Sequence, residues 1–219
     1  MPLILRQNIE NSVIGVWKIT EEIENLVTLA RLSQQDVNTF AGISALHRKK
    51  EWLGTRALLN ELLNEAQLIE YHIDGRPFLN NSPYNISISH SSGYVAVILH
   101  THSIPGIDIE LLTRQVGRVA SRFLSPDELA ACIAKPELSN HRFLVHWCAK
   151  EAIFKMVPLS NIEFATDIAI LPDDFDQESG TFKGIFNDKT GPVPIGLYYR
   201  ITDELMIIWG WSDKANFHL

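Results

Sequence analysis

Two short segments of the chain carry residues that could do chemistry together. The first is His146-Trp147-Cys148-Ala149-Lys150-Glu151-Ala152-Ile153-Phe154-Lys155. It reads as helix, and residues four apart on a helix share a face, so the Glu151 carboxylate and the Lys155 ammonium become neighbours beside Trp147. The second is Gly106-Ile107-Asp108-Ile109-Glu110. On a strand its alternation sends Asp108 and Glu110 out of one face and Ile107 and Ile109 out of the other. Two carboxylates about 6.5 Å apart on one face repel unless solvent or a cation separates them. A hard divalent ion with oxygen ligands is one solution, with Glu151 completing the set around a substrate phosphate. The alternative is an edge strand with solvated acids, and Glu151 and Lys155 likewise have a second reading as a surface i,i+4 ion pair.

Other groups could serve an anion. Ser87-Ile88-Ser89-His90-Ser91-Ser92-Gly93 ends a predicted strand in hydroxyls, an imidazole and a glycine, a combination able to line a phosphate site. Ser89 and His90 are adjacent, point to opposite faces of a strand and cannot form a nucleophile and base couple. Arg48, Trp52 and Arg56 run along one flank of a predicted helix, and guanidinium groups suit bidentate phosphate contact. Lys49 reads as part of a solvated basic stripe. Ser125-Pro126-Asp127-Glu128 matches an N-cap, a first-turn proline and an acid at the third position, which assigns Glu128 to capping rather than to the site.

The elements that must position these residues follow from periodicity. A strand is predicted over 12–19, a short helix over 33–40 and a longer one over 45–66 capped by Ser44. Asp74-Gly75 marks a hairpin within 70–79, and strands follow over 85–89, 94–99 and 106–110. The second half repeats helix then strands: helices over 126–134 and 139–156, then strands near Ile168 and over 181–186, 197–201 and 205–211. Asp173 to Gly180 and Gly191 to Pro194 read as exposed loops. This order implies an α+β protein of two lobes, 1–108 and 109–219, each a helix packed on a small antiparallel sheet.

The chain has 219 residues, 46% hydrophobic and 21% charged, which is the balance of a soluble globular protein. A net charge of −7 argues against broad nucleic-acid binding, so an anionic ligand must meet local basic clusters. No apolar run is long enough to span a bilayer and the first residues lack a signal-peptide pattern, so a cytoplasmic protein is expected. Cys132 and Cys148, the two cysteines, do not have metal-ligand spacing and are expected to be reduced and buried.

Together, Gly106-Ile107-Asp108-Ile109-Glu110 and Trp147-x-x-Lys150-Glu151-x-x-x-Lys155 resemble the two signature motifs of the 4'-phosphopantetheinyl transferases. Residues Arg48 to Arg56 resemble that family's basic helix, Gly75-Arg76-Pro77 its turn, Ser87 to Ser91 its serine-histidine strand, and Arg122 to Ser125 with Glu128 the segment between the signatures. The length is similar to that of the larger class, which activates polyketide and peptide synthases. The resemblance implies two similar lobes related by a pseudo-two-fold, with the active site in the cleft between them, in a monomer. It implies Mg²⁺-dependent transfer of the phosphopantetheine arm of coenzyme A to a serine of an apo acyl or peptidyl carrier protein. Adenosine 3',5'-bisphosphate would leave. Asp108, Glu110 and Glu151 would hold the metal, and Lys155 would neutralise the diphosphate. Glu151 would be the candidate base. Arg48, Arg56, Arg76, Ser89 and His90 would surround the 3'-phosphate or the diphosphate. Two alternatives remain at this stage: a coenzyme A binding protein of the same fold without activity, and a Mg²⁺-dependent hydrolase of nucleotide pyrophosphates.

Overall fold

A computed structural model describes residues 3–158, 161–173, 175 and 177–217. It is an α+β structure divided into two compact units, Met1–His102 and Ser103–Leu219. Among the described residues no helix is long and apolar enough to cross a membrane.

The first unit begins with the hairpin of β1 (Leu3–Ile9) and β2 (Ser12–Lys18), followed by helices α1 (Ile23–Ala30), α2 (Gln34–Ala41) and α3 (Leu46–Leu63). After β3 (Ile69–Tyr71) and β4 (Pro77–Leu79), which pair only with each other, come β5 (Asn85–Ser91) and β6 (Tyr94–His100). The main sheet is antiparallel with order β1-β2-β6-β5. Helix α3 lies across it because Leu58, Leu59 and Leu62 project toward Trp17, Val95 and Val97. Gly15 of β2 eases that approach: a Cβ there would stand 2.8 Å from a Leu58 methyl and 2.9 Å from a Leu62 methyl, and both side chains would have to shift. On the other flank of α3, Leu53 packs with Leu26 and Ala30 of α1. Asn60 closes the end of α1 by donating to the carbonyls of Leu29 (3.2 Å) and Ala30 (2.7 Å), which helical bonding leaves open.

The second unit comprises β7 (Ile104–Leu111), α4 (Pro126–Ile133), α5 (Ser139–Met156), the single turn α6 (Phe164–Asp167), β8 (Ile168–Ile170), β9 (Ser179–Asp188), β10 (Gly191–Ile201) and β11 (Leu205–Ser212). Its sheet is wholly antiparallel, in the order β7-β11-β10-β9-β8. Leu144, Val145, Ala149, Ala152, Ile153 and Met156 of α5 form the core with Phe182, Leu197, Met206 and Ile208 of the strands. Strand β7 pairs with β11, so Asp108 falls well inside the second unit, and a division at residue 108 would cut this strand.

Several local expectations are corrected. Helix α3 starts at Leu46 after Ala45, with no side-chain cap, so Ser44 does not cap it. Strand β1 and helix α1, where no element is predicted from the sequence, are both formed. Gly191 to Pro194 opens β10 rather than a loop. Both prolines lie on the stretch that pairs only with β9, because β11 joins from Leu197 onward, and a missing N–H is tolerated where one edge of a strand has no partner. Phe175, within the stretch read as an exposed loop, is buried edge-on against Phe182 and Tyr199 with ring centroids at 5.0 and 5.6 Å.

Candidate active site

Strand β7 is buried on both faces. The even-numbered face, with Gly106, Asp108 and Glu110, turns toward α5, and the register confirms it: Asp108 stands opposite Ile208 and Glu110 opposite Met206, both of which belong to the core under α5. A Cβ on Gly106 would lie 2.0 Å from the carbonyl oxygen of Ala152, so a glycine there is what lets the helix come this close. The two acids are therefore covered by α5, at 6% and 5% exposure, and are not solvated residues of an open edge.

Each buried carboxylate has a cationic partner. The Lys155 ammonium donates to Asp108 Oδ1 at 2.9 Å and to the Ile107 carbonyl at 2.7 Å. Lys155 thus bridges α5 to β7, and a tertiary partner takes the place of the alternative reading, a surface pair with Glu151. Glu110 is ion-paired with Arg114 and accepts the Trp147 indole N–H at 3.3 Å, while the Arg114 guanidinium stands 5.3 Å over the Trp147 ring. Cys148, fully buried, hydrogen-bonds to Asp108, and burial followed by the Asp108 charge raises its thiol well above the ordinary 9.0. It is a neutral donor at physiological pH. Glu151 is half-buried, and burial first, then the charge of Asp108, raises its carboxyl above 4.5 against the opposing pull of Lys155 and Arg114. Two carboxylates already close enough to disfavour a common charge are the electrostatic signature of a cation or proton site.

Beside this group lies a structural clip that motif spacing alone does not show. Lys150 is fully buried, and its ammonium donates to Glu128 Oε2 (2.7 Å), the Phe164 carbonyl (2.8 Å) and the Ile168 carbonyl (2.6 Å). The Glu128 carboxylate also accepts the Ser125 N–H of its capping box and the Ile170 N–H. The capping assignment of Glu128 therefore holds, and the same carboxylate ties α4, α5, α6 and β8 together. His146 belongs to the scaffold as well: its Nδ1 bonds the Arg142 carbonyl at 2.8 Å, and burial lowers its pKa below 6.5.

In the first unit, the structure joins some of the predicted anion-binding residues and separates others. Arg48 and His90 meet, with Arg48 donating to His90 Nε2 at 3.3 Å. Glu51, which the motif reading gave no role, stands 3.6 Å from both the Arg48 guanidinium and His90 Nδ1. Arg56 is held elsewhere. It is 3% exposed, its Nε donates to Asp36 Oδ1 at 2.7 Å, and its guanidinium stacks 3.3 Å from the centre of the Trp52 ring. Asp36 is the capping-box acid of α2, so Arg56 locks α2 to α3 and has no donor edge turned to solvent for a phosphate. Arg76 pairs with Asp74 across the β3–β4 turn at 3.3 Å, and Ser89 is buried within β5.

Among the described residues, no three of the His, Cys, Asp and Glu side chains already stand at metal-gripping distance. The donor set nevertheless suits a hard divalent ion: two buried carboxylates on one strand face and a third that senses the charge of Asp108, all oxygen ligands. To bind one, Asp108 and Glu110 must exchange part of their pairing with Lys155 and Arg114 for the ion.

Comparison with known proteins agrees with this geometry. Residues 105–194 match the model of the 4'-phosphopantetheinyl transferase superfamily. The chain is 32% identical over 112 residues to the 4'-phosphopantetheinyl transferase AcpT of Escherichia coli O157:H7, covering 49% of this chain and 57% of that protein. It is 31% identical over 112 residues to AcpT of Salmonella typhi, covering 49% and 58%. A putative 4'-phosphopantetheinyl transferase of Haemophilus influenzae is 25% identical over 150 residues, or 64% of this chain and 62% of that protein. The match thus spans a little over half the length of the AcpT relatives. The matched residues 105–194 carry Asp108, Glu110, Glu151 and Lys155 on β7 and α5, and through them this part of the chain is similar to the 4'-phosphopantetheinyl transferase superfamily.

Proposed function

We propose that the protein is a holo-carrier-protein synthase. It transfers the 4'-phosphopantetheine arm of coenzyme A to a serine of an apo acyl or peptidyl carrier protein and releases adenosine 3',5'-bisphosphate. The observation that carries this reading is the direct pairing of the two signature segments, Asp108 with Lys155 and Glu110 with Trp147, across β7 and α5. When bound, Mg²⁺ would be held by Asp108, Glu110 and Glu151 and would supply positive charge to the diphosphate oxygens.

The chain's own residues supply the rest. In the reaction the serine oxygen forms a bond to the pantetheine-side phosphorus, the bond from that phosphorus to the bridging oxygen breaks, and the bisphosphate leaves with the bridging oxygen. Lys155 and Arg114 are the cations next to the acids, and each can turn from its carboxylate to a phosphate oxygen as charge develops there. Glu151, half-buried and close enough to sense the Asp108 charge, is the group assigned to orient the serine hydroxyl and receive its proton. Burial by α5 keeps bulk water from the acids, which favours serine over hydrolysis. Arg48 and His90, with Arg76 and Ser89, are the first unit's candidates for the phosphates of coenzyme A.

Intact mass measurement of an apo carrier incubated with coenzyme A and Mg²⁺ tests the proposal. Transfer adds one phosphopantetheine group. Unchanged partners would indicate a binding protein, and coenzyme A consumed without carrier would indicate a hydrolase; either result refutes the assignment. Asp108→Ala and Glu151→Ala abolish transfer with the fold retained. Lys155→Ala lowers kcat by a factor on the order of 10² while weakening coenzyme A binding less.

A further inference from the structure

We infer that Glu51 is a positioning residue for the Arg48 and His90 pair, holding the imidazole so that its Nε2 edge and the guanidinium present themselves together to a phosphate of coenzyme A. The inference rests on the proposed function and adds to it a residue that acts through His90.

The geometry settles the tautomer. Arg48 has donors only, so its 3.3 Å contact to His90 Nε2 requires a lone pair on that nitrogen, and the ring proton then sits on Nδ1. Nδ1 is the atom turned toward Glu51, at 3.6 Å. That distance exceeds a hydrogen bond, so the attraction is one of charge and dipole. Glu51 also lies 3.6 Å from Arg48, one helical turn earlier on α3, and its side chain is only 12% exposed against 58% for Arg48 and 42% for His90. The carboxylate is thus the fixed member of the trio, rooted in the helix, while the two groups it orients reach outward. It joins α3 to β5 through His90, two elements whose side chains would otherwise turn independently.

A carboxylate beside an anion site is costly unless it does such a job, because its charge repels the ligand. When a phosphate enters, its oxygen replaces Nε2 as acceptor for Arg48. The guanidinium and the ring edge are then aimed at the ligand together, and the Glu51 carboxylate stays behind them.

Charge alone and positioning predict opposite signs, which makes a direct test. Removing the Glu51 charge in E51Q strengthens phosphate binding if the carboxylate merely repels, and weakens it if the carboxylate orients the pair. Calorimetric titration of coenzyme A in the absence of carrier is expected to show E51Q binding about tenfold more weakly than wild type, a loss of about 1.4 kcal/mol. The E51D variant recovers part of the loss. The penalty of E51Q disappears in an H90A background, because there is no longer a ring to orient, and circular dichroism shows each variant folded. Titration with 3'-dephospho-coenzyme A tells which anion is read: a penalty that vanishes marks the 3'-phosphate, and one that persists marks the diphosphate. Equal or tighter binding by E51Q, or penalties that multiply in E51Q/H90A, overturns the inference and leaves the proposed function standing. A wild-type protein that does not bind coenzyme A overturns both.

Discussion

Replacing Lys150 by methionine removes the ammonium and keeps most of the side chain's volume, so it isolates the energetics of the clip in the second unit. In the wild type this fully buried cation satisfies one carboxylate and two carbonyls at 2.6–2.8 Å. The Lys150→Met protein leaves Glu128 as a buried charge with two backbone N–H donors and no cation. Breaking one side of a buried pair costs about 3–5 kcal/mol, mostly the penalty of the abandoned charge. For a chain of this size each kcal/mol moves the melting point by about 2–4 °C, so the expected fall is about 6–20 °C by circular dichroism or calorimetry. The wild-type pair is strained by burial too, since desolvation lowers the Lys150 pKa below 10.5 against the support of Glu128. Accordingly, adding Glu128→Gln to Lys150→Met returns part of the loss: the buried charge is gone, while a Gln oxygen still accepts one of the two N–H groups. Coenzyme A affinity, measured well below the transition, stays at the wild-type value, because the clip touches neither Asp108 nor Lys155. A Lys150→Met protein that melts within about 2 °C of wild type would refute the reasoning, as the abandoned charge would then have cost less than about 1 kcal/mol.

Two further outcomes follow from the same physics. Arg56→Met abandons Asp36 in the interior and should destabilise the first unit by about 3–5 kcal/mol in urea unfolding, with coenzyme A affinity unchanged in the folded protein; an affinity loss without a stability loss would restore Arg56 as a phosphate ligand. Glu151, with its folded pKa raised above 4.5, favours the folded state below that value and loses the contribution as pH rises through its folded pKa. Metal-free Glu151→Gln should therefore match wild type at pH 4 and be the more stable protein at pH 7 to 8, and a constant difference across that range would contradict the raised carboxyl.

The chemistry-bearing residues were legible because their placement is a local matter. Strand alternation is enough to put Asp108 and Glu110 on one face, helix pitch is enough to put Glu151 and Lys155 on another, and the Ser125 to Glu128 pattern reports a cap that forms within four residues. Partner choice was not legible. Lys155 pairs with a strand residue 47 positions away instead of the glutamate one turn back, and Glu110 receives a tryptophan 37 positions away. Arg56 sits at the spacing of a basic flank, yet α2 packs over that flank with an acid ready to receive it. Lys150 looks like any helical lysine until α4, α6 and β8 close around it. Backbone periodicity decides which side chains share a face, and the sequence alone determines that much. Which face is covered, and by what, depends on the packing of distant segments, and packing removes the water that would otherwise make one charge partner nearly as good as another. Only the tertiary structure could therefore decide that the acids of β7 are buried beneath α5, and which cations hold them there.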